Sequence, residues 1–228
     1  MDPTERFSDR AAEYTKYRPS YPAELLTFMR DKLGLTTVHV LADVGSGTGI
    51  LAKLFLDNGN VVYGVEPNAA MRQAAEASLA SYEHFHSVAG RAEATTLKPD
   101  QADYVVAGQA FHWFQADKAR VEFRRILKRG GWVVLIWNSR RTEGAPFLEA
   151  YETFLKQWGT DYAEVQRRYD VTASLLTLFG GSAYERTSFE NAQSLDLDGL
   201  RGRVLSSSYT PGADHPRHGA MLDALRAL

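Results

Sequence analysis

The sequence predicts an α/β fold, a doubly wound and mostly parallel sheet with helices on both faces, and three observations lead there. Short β-branched runs alternate with segments of helical periodicity, the pattern of parallel βαβ units rather than of a sandwich. Two runs, 104–108 and 132–137, are nearly continuously apolar, as expected of central strands covered on both sides. A glycine-rich turn, Gly45-Ser46-Gly47-Thr48-Gly49, leads from the first strand into the next helix.

The first 35 residues read as a helical arm. Arg18-Pro19 and Tyr21-Pro22 force an extended kink, because proline disfavours helical backbone at the residue before it, and a helix is expected over 23–33. The first strand spans 38–44. Ile50, Leu51, Leu54 and Phe55 then recur at helical spacing until Asn58-Gly59 stops the helix. A second strand over 61–66 ends at Pro67-Asn68, and Met71, Ala74, Ala75 and Leu79 mark an amphipathic helix with one apolar stripe. Residues 84–88 read as a third strand. Between the two long apolar runs a helix is expected over 117–129, with Phe123, Ile126 and Leu127 inward and Gly130-Gly131 as its stop. Beyond Asn138, helical patterns at 147–158, 162–169 and 171–179 precede a strand candidate at 184–189, and two short helices, 195–205 and 220–228, follow. The organisation expected is an arm or lid over 1–35, a Rossmann-like core over 36–140, and a helical insertion, sixth strand and C-terminal helices over 141–228, all in one integrated domain.

Composition narrows the function. With 228 residues, 44% apolar and 24% charged, the chain sits near the averages of globular domains, which excludes disordered and fibrous classes. The absence of cysteine excludes disulfides, thiolate zinc sites and cysteine nucleophiles. A net charge of −2 gives no whole-protein reason to expect nucleic acid or membrane binding. The basic cluster Arg124, Arg125, Lys128 and Arg129 is read as a helix C-terminus, where the helix dipole favours cations. Residues 1–10 are charged and hold no apolar stretch, so no secretory signal is expected and a cytoplasmic protein is. No heptads argue for assembly, and the oligomeric state stays open.

The chemistry concentrates at the C-terminal edge of the sheet, where open α/β folds bind ligands. Gly45, Gly47 and Gly49 allow a tight turn and close approach of a ligand, and the amides of the following helix favour anionic groups. Glu66 ends the second strand, 23 residues after Asp43, where an acidic side chain can accept from both hydroxyls of a ribose. Together they point to an adenosine-containing cofactor. A dinucleotide site would place a third glycine at position 50, which is Ile50.

Asp43-Val44-Gly45-Ser46-Gly47-Thr48-Gly49 resembles the first motif of the class I S-adenosylmethionine-dependent methyltransferases. Ala92-Glu93, the segment 103–114 and Leu127-Lys128-Arg129-Gly130-Gly131 are similar, in order, to three further motifs of that family. Closer similarity is to its small-molecule branch, type 11, which includes trans-aconitate methyltransferase: residues 7–14 and 17–22 resemble that branch's N-terminal lid. The resemblance implies S-adenosylmethionine as cofactor, with S-adenosylhomocysteine as product, and a small-molecule methyl acceptor as partner. It assigns Gly45, Ser46, Gly47 and Gly49 to the methionine end of the cofactor, Glu66 to the ribose, and Asp43 to ordering the loop. Pro67, Asn68 and Met71 would line the adenine, Ala92 and Glu93 would read its amino edge, and Gln109 with Ala110 would reach the methionyl amino group. It also implies a seven-stranded sheet whose antiparallel last strand inserts between the fifth and sixth. With 184–189 the one sixth-strand candidate, either that last strand is missing from this chain or the sheet is incomplete, and truncation or a disordered tail is the favoured reading.

Methyl transfer from a sulfonium needs alignment and exclusion of water rather than a metal or a covalent nucleophile. The pairs His84/His86 and His215/His218 lack further ligands nearby in sequence, so no metal is expected. His112, directly after the fourth strand, reads either as a base for a hydroxyl acceptor or as a pocket-lining or capping residue. Arg18 in the arm can grip a carboxylate with two hydrogen bonds, or form a surface salt bridge. Tyr14, Tyr17 and Tyr21 read equally as lid packing or substrate contacts. Trp113 and Trp137 are expected to wall the pocket, with Asn138, Arg140 and Arg141 as further substrate candidates. The favoured reading is therefore methyl transfer to a small molecule, a carboxylic acid fitting Arg18, with His112, Arg18 and Tyr14 as catalytic candidates. The alternatives are a cofactor-binding regulatory or scaffolding protein without turnover and, third, a nicotinamide dehydrogenase.

Overall fold

The structure is a computed structural model that describes residues 11–181 and 184–228. Five strands, β1 (Val40–Val44), β2 (Val61–Val65), β3 (Phe85–Val88), β4 (Ala102–Gly108) and β5 (Leu127–Ile136), form one parallel sheet in the order β3-β2-β1-β4-β5. The chain reverses its winding direction between β1 and β4, so a crevice opens at the carboxyl ends of these two strands.

One face of the sheet is covered by α2 (Ala23–Leu33) and α3 (Ile50–Asp57), whose Met29, Leu51 and Phe55 close over Leu41, Val62 and Val106. The other is covered by α5 (Ala116–Ile126) and α8 (Thr172–Phe179), with Phe123, Ile126 and Leu178 against Val44, Val65 and Val105. Each of the fully buried side chains contributes roughly 1.5 to 3 kcal/mol by leaving water. Between β2 and β3 lies α4 (Ala69–Ser78), which turns Met71 and Ala75 inward.

A third core is separate from the sheet. Tyr151, Phe154 and Leu155 of α6 (Pro146–Trp158) pack with Tyr162 of α7 (Tyr162–Arg168), Val204 of α9 (Leu197–Leu205), and Met221 and Leu225 of α10 (His218–Leu225). The apolar face of the last helix is therefore covered by α6. The arm helix α1 (Ala11–Tyr17) packs between α4 and α9 and so bridges the sheet to this helical layer. The first half of the lid-like motif, Phe7 to Arg10, lies outside the described residues.

Five expectations are corrected. The helix read over 117–129 ends at Ile126, because Leu127 turns to extended backbone (φ −76°, ψ 134°) and pairs with Ala102. Gly130-Gly131 consequently marks an irregularity inside β5, where the register shifts between Ala102 and Tyr104 and Gly130 adopts φ +82°. Of the basic cluster, Arg124 and Arg125 stand in the last turn of α5, while Lys128 on β5 reaches Asp103 at 2.9 Å. Residues 132–137 are not a central strand: β5 is the sheet edge among the described residues, and Trp132 is 46% exposed.

The segment 184–189 forms no strand. Its residues are exposed except Phe189, which meets Phe28 of α2 edge-on at 5.8 Å, so no alternating apolar face exists to hold a strand against the core. The sheet thus has five strands among the described residues, without the sixth that 184–189 was expected to add.

Candidate active site

The glycine loop is built by backbone demands. Gly45, Gly47 and Gly49 take φ of +72°, +56° and +84°, values that side-chain-bearing residues resist. Gly45 also has no room for a side chain, since a Cβ there would lie 2.5 Å from that of Ala110. Its amide and that of Ser46 donate to the Val65 carbonyl (2.8 and 3.2 Å), which ties the loop to the end of β2.

Glu66 follows on β2 and braces the loop from the other side. Its carboxylate accepts from the amides of Gly47 (3.0 Å) and Asn68 (2.9 Å), and Arg72 binds the carbonyls of Glu66 and Pro67, both at 2.8 Å. A carboxylate has about four acceptor positions, so two remain for a ligand's hydroxyls. Burial raises its pKa, against the pull of the two amides and Arg72. Asn68 caps α4 through the Met71 amide at 3.0 Å, and the Met71 methyl lies beside Gly47.

Asp43 is the unusual group. It is 1% exposed, neither carboxylate oxygen has a hydrogen-bond partner, and burial first, then the neighbouring Glu66, push its pKa up to about 8. The hydroxyl of Thr48 in the same loop is likewise buried and unpartnered. Such groups are costly unless a ligand satisfies them. A cradle with an orphaned carboxylate, an orphaned hydroxyl and a braced acceptor fits a ligand carrying a cationic amino or sulfonium group and vicinal hydroxyls, as S-adenosylmethionine does.

Other predicted residues surround this cradle. Ala110 touches the Gly45 position, and Gln109 holds φ +58° while its amide N–H donates to the Ile136 carbonyl and its side chain to the Asn138 carbonyl. That strained residue closes the end of β4. Ala92 is buried, and Glu93 accepts from the Gln115 amide at 2.7 Å, capping α5. Tyr21 lies over Gly108, where a Cβ would fall 2.4 Å from its hydroxyl, and its pKa is pushed well up by burial, then by Tyr14 and Asp43. Arg18 stacks on Tyr14 at 4.8 Å and donates to the Ser206 carbonyl at 2.9 Å, with its Nε buried and unpartnered. The His112 ring packs on Trp113 and, at 4.6 Å, on Tyr169 after α7. Trp137 meets Phe111 edge-on at 6.2 Å.

Three candidates are committed elsewhere. Asn138 donates to the Ser20 carbonyl and accepts from Asn191, Arg140 pairs with Glu152, and Arg141 pairs with the exposed Glu190. They fasten the arm and the helical layer to the sheet edge. Sequence reasoning missed Arg72, Phe114, which packs on the glycine loop 3.4 Å from the Gly45 position, and Arg203, whose Nη1 is buried without a partner near Arg18. Nothing local in sequence marks Arg203.

Comparison with known proteins agrees with this geometry. A family profile described as a methyltransferase domain matches residues 42–135, from within β1 to within β5. A Schizosaccharomyces pombe protein named as an uncharacterised methyltransferase is 24% identical over 88% of this chain and 77% of its own length. A Geobacillus thermodenitrificans protein with the same designation is 31% identical over 69% of this chain and 74% of its own. Against several other curated relatives the match spans only about half of their length. A Methanococcus maripaludis structure assigned to the S-adenosylmethionine-dependent methyltransferases shares the fold, with TM-score 0.57 and 20% identity over 76% of this chain and 81% of that one. With the glycine cradle, Glu66 and this sheet order in place, the chain belongs to the class I S-adenosylmethionine-dependent methyltransferases.

Proposed function

We propose that the protein transfers a methyl group to a small-molecule acceptor, a carboxylic acid. The observation that carries this reading is the run of unsatisfied buried polar groups from Asp43 and Thr48 in the loop to Arg18 in the arm, with Tyr21 between them. When bound, S-adenosylmethionine supplies an electrophilic methyl group. The chain's own residues then have three tasks. Glu66 and Asp43 orient the donor: the first offers acceptors to hydroxyls, and the second, protonated at neutral pH in the free chain, gives up its proton to become the counter-charge of a bound cation. Tyr21, Phe111, Phe114 and Trp137 exclude water from the crevice, which strengthens every polar contact within it. Arg18 offers its buried Nε–H to an anion, and His112, packed on Tyr169, walls the crevice.

Calorimetric titration with S-adenosylmethionine and S-adenosylhomocysteine, on the wild type and on Gly47→Val and Glu66→Ala, tests the donor half. Binding by the wild type and its loss in both variants is the expected result, and wild-type protein that binds neither compound rejects it. An acceptor screen by mass spectrometry tests the other half. Binding without a methylated product would favour a cofactor-binding protein without turnover.

A further inference from the structure

The turn between β2 and α4, Glu66-Pro67-Asn68, carries the Glu66 carboxylate, and one residue holds all three of its carbonyls. The Arg72 amide donates to the Asn68 carbonyl at 3.0 Å, and Nη1 of the same residue donates to the carbonyls of Glu66 and Pro67, each at 2.8 Å. Pro67 has no N–H, so the turn has no amide at its centre with which to tie itself down. The Pro67 carbonyl and the Asn68 N–H belong to one planar peptide and point in opposite directions. Gripping the carbonyl therefore aims the N–H, which donates to Glu66 Oε1 at 2.9 Å. From the glycine loop, the Gly47 amide donates to Oε2 at 3.0 Å. Each carboxylate oxygen is thus held by one backbone amide and keeps a further acceptor position. The positive charge of Arg72 also opposes the burial that raises the Glu66 pKa.

We propose that Arg72 is a positioning residue for donor binding: by gripping two carbonyls with one nitrogen it aims the Asn68 amide at Glu66, and so fixes the carboxylate oxygens that receive the donor's ribose hydroxyls. This rests on the methyltransferase reading and adds to it the residue that sets the geometry of the ribose acceptor. Hydroxyls on adjacent carbons present two O–H donors at a fixed spacing, so a carboxylate receives both only when its plane is set. A carboxylate free to turn about its last bond must be ordered at each binding event, at a loss of affinity. Arg72 moves that ordering into folding, because it stands on α4, a helix anchored by the buried Met71 and Ala75 and capped by Asn68. Without the guanidinium the Pro67–Asn68 peptide is free to rotate, its N–H leaves Oε1, and Glu66 keeps the Gly47 amide alone. The loss then falls on the hydroxyls, since the glycine loop keeps its own bonds to the Val65 carbonyl.

The test is calorimetric titration of the full chain with S-adenosylhomocysteine and with its analogue lacking both ribose hydroxyls. The wild type is expected to bind the former roughly tenfold or more tightly. In Arg72→Met that ratio should fall to within about threefold, while affinity for the analogue changes less than about twofold. Arg72→Lys should restore part of the ratio, because its ammonium likewise carries several N–H donors on one nitrogen. Glu66→Gln should lower the ratio too, and adding Arg72→Met to it should change the ratio by less than about twofold, since the arginine acts through the carboxylate. An unchanged ratio in Arg72→Met, an equal loss for both ligands, a Lys variant no better than the Met variant, or additive losses in the double variant each overturn Arg72 as a positioning residue and leave the methyltransferase reading standing. Equal binding of the two compounds by the wild type removes the ribose role of Glu66 and the proposal with it. A wild type that binds neither compound overturns the methyltransferase reading itself.

Discussion

Asp43 is protonated far more readily in the folded chain than in the unfolded one, and the sign of the consequence is fixed. Its pKa rises from 3.8 to about 8. Below pH 3.8 both states carry the proton and nothing is lost; as pH climbs from 3.8 to 8 the unfolded state releases it first, and stability falls with a limiting slope of about 1.4 kcal/mol per pH unit. Asp43→Asn lacks this penalty. Urea unfolding between pH 4 and pH 9 should show the variant gaining on the wild type up to about pH 8 and holding a constant lead above it. A lead that does not depend on pH would contradict the orphaned carboxylate. The same substitution should weaken S-adenosylmethionine binding roughly tenfold or more, since the cation loses its buried counter-charge. His112 obeys a different logic. A carboxylate acceptor has no proton to remove, so His112→Ala should raise the acceptor KM, through lost packing on Tyr169, more than it lowers kcat. A loss confined to kcat would restore it as a base.

At the scale of elements, one buried carboxylate fixes the crossing of α5 over the sheet. Glu122 accepts from the Thr95 amide at 2.8 Å and from Arg125 at 2.7 Å, which holds its pKa near 2. Here the folded state favours ionisation. The contribution is complete above pH 4.5 and disappears as pH falls toward 2, so Glu122→Gln should cost about 2 to 3 kcal/mol at neutral pH and progressively less in acid. Thermal melts at pH 7 and pH 3 check it, and an equal cost at both would refute the ion pair as its source. Elements of this kind were readable from sequence where the signal was local. The glycine loop, Glu66 and α2 needed only backbone rules and short spacing, and their positions agree with the structure. The edges were less readable, because Gly130-Gly131 looks the same as a helix stop and as a strand irregularity until Leu127 finds Ala102. The run 184–189 has strand-like composition, yet pairing depends on a distant partner that sequence does not reveal. Arg203 was invisible for the same reason, since the group that lowers its pKa most after burial is Arg18, which follows α1 far away in the chain.

Across the whole molecule, function depends on whether the arm couples the sheet to the helical layer. The two sheet cores and the third core of α6, α7, α9 and α10 are separate, and α1 packs against α4 at the donor cradle on one side and α9 on the other. The tightest point is Gly202 of α9, where a Cβ would fall 2.2 Å from the Tyr17 ring. Glycine to alanine inside a helix ordinarily stabilises by about 1 kcal/mol. Gly202→Ala should do the reverse here: the methyl group displaces Tyr17, α1 loses its seat, and amide exchange in Ala11–Tyr17 accelerates while β1 and β4 stay protected. Affinity for S-adenosylmethionine and for the carboxylate should then fall together, because one arm covers both regions. The double variant Tyr17→Ala/Gly202→Ala removes the clash and should bind better than Gly202→Ala alone, a positive coupling that independent sites would not show. Unchanged exchange in α1 would mean that the arm is not seated through this contact, and a fall in only one of the two affinities would mean that the arm does not join the sites.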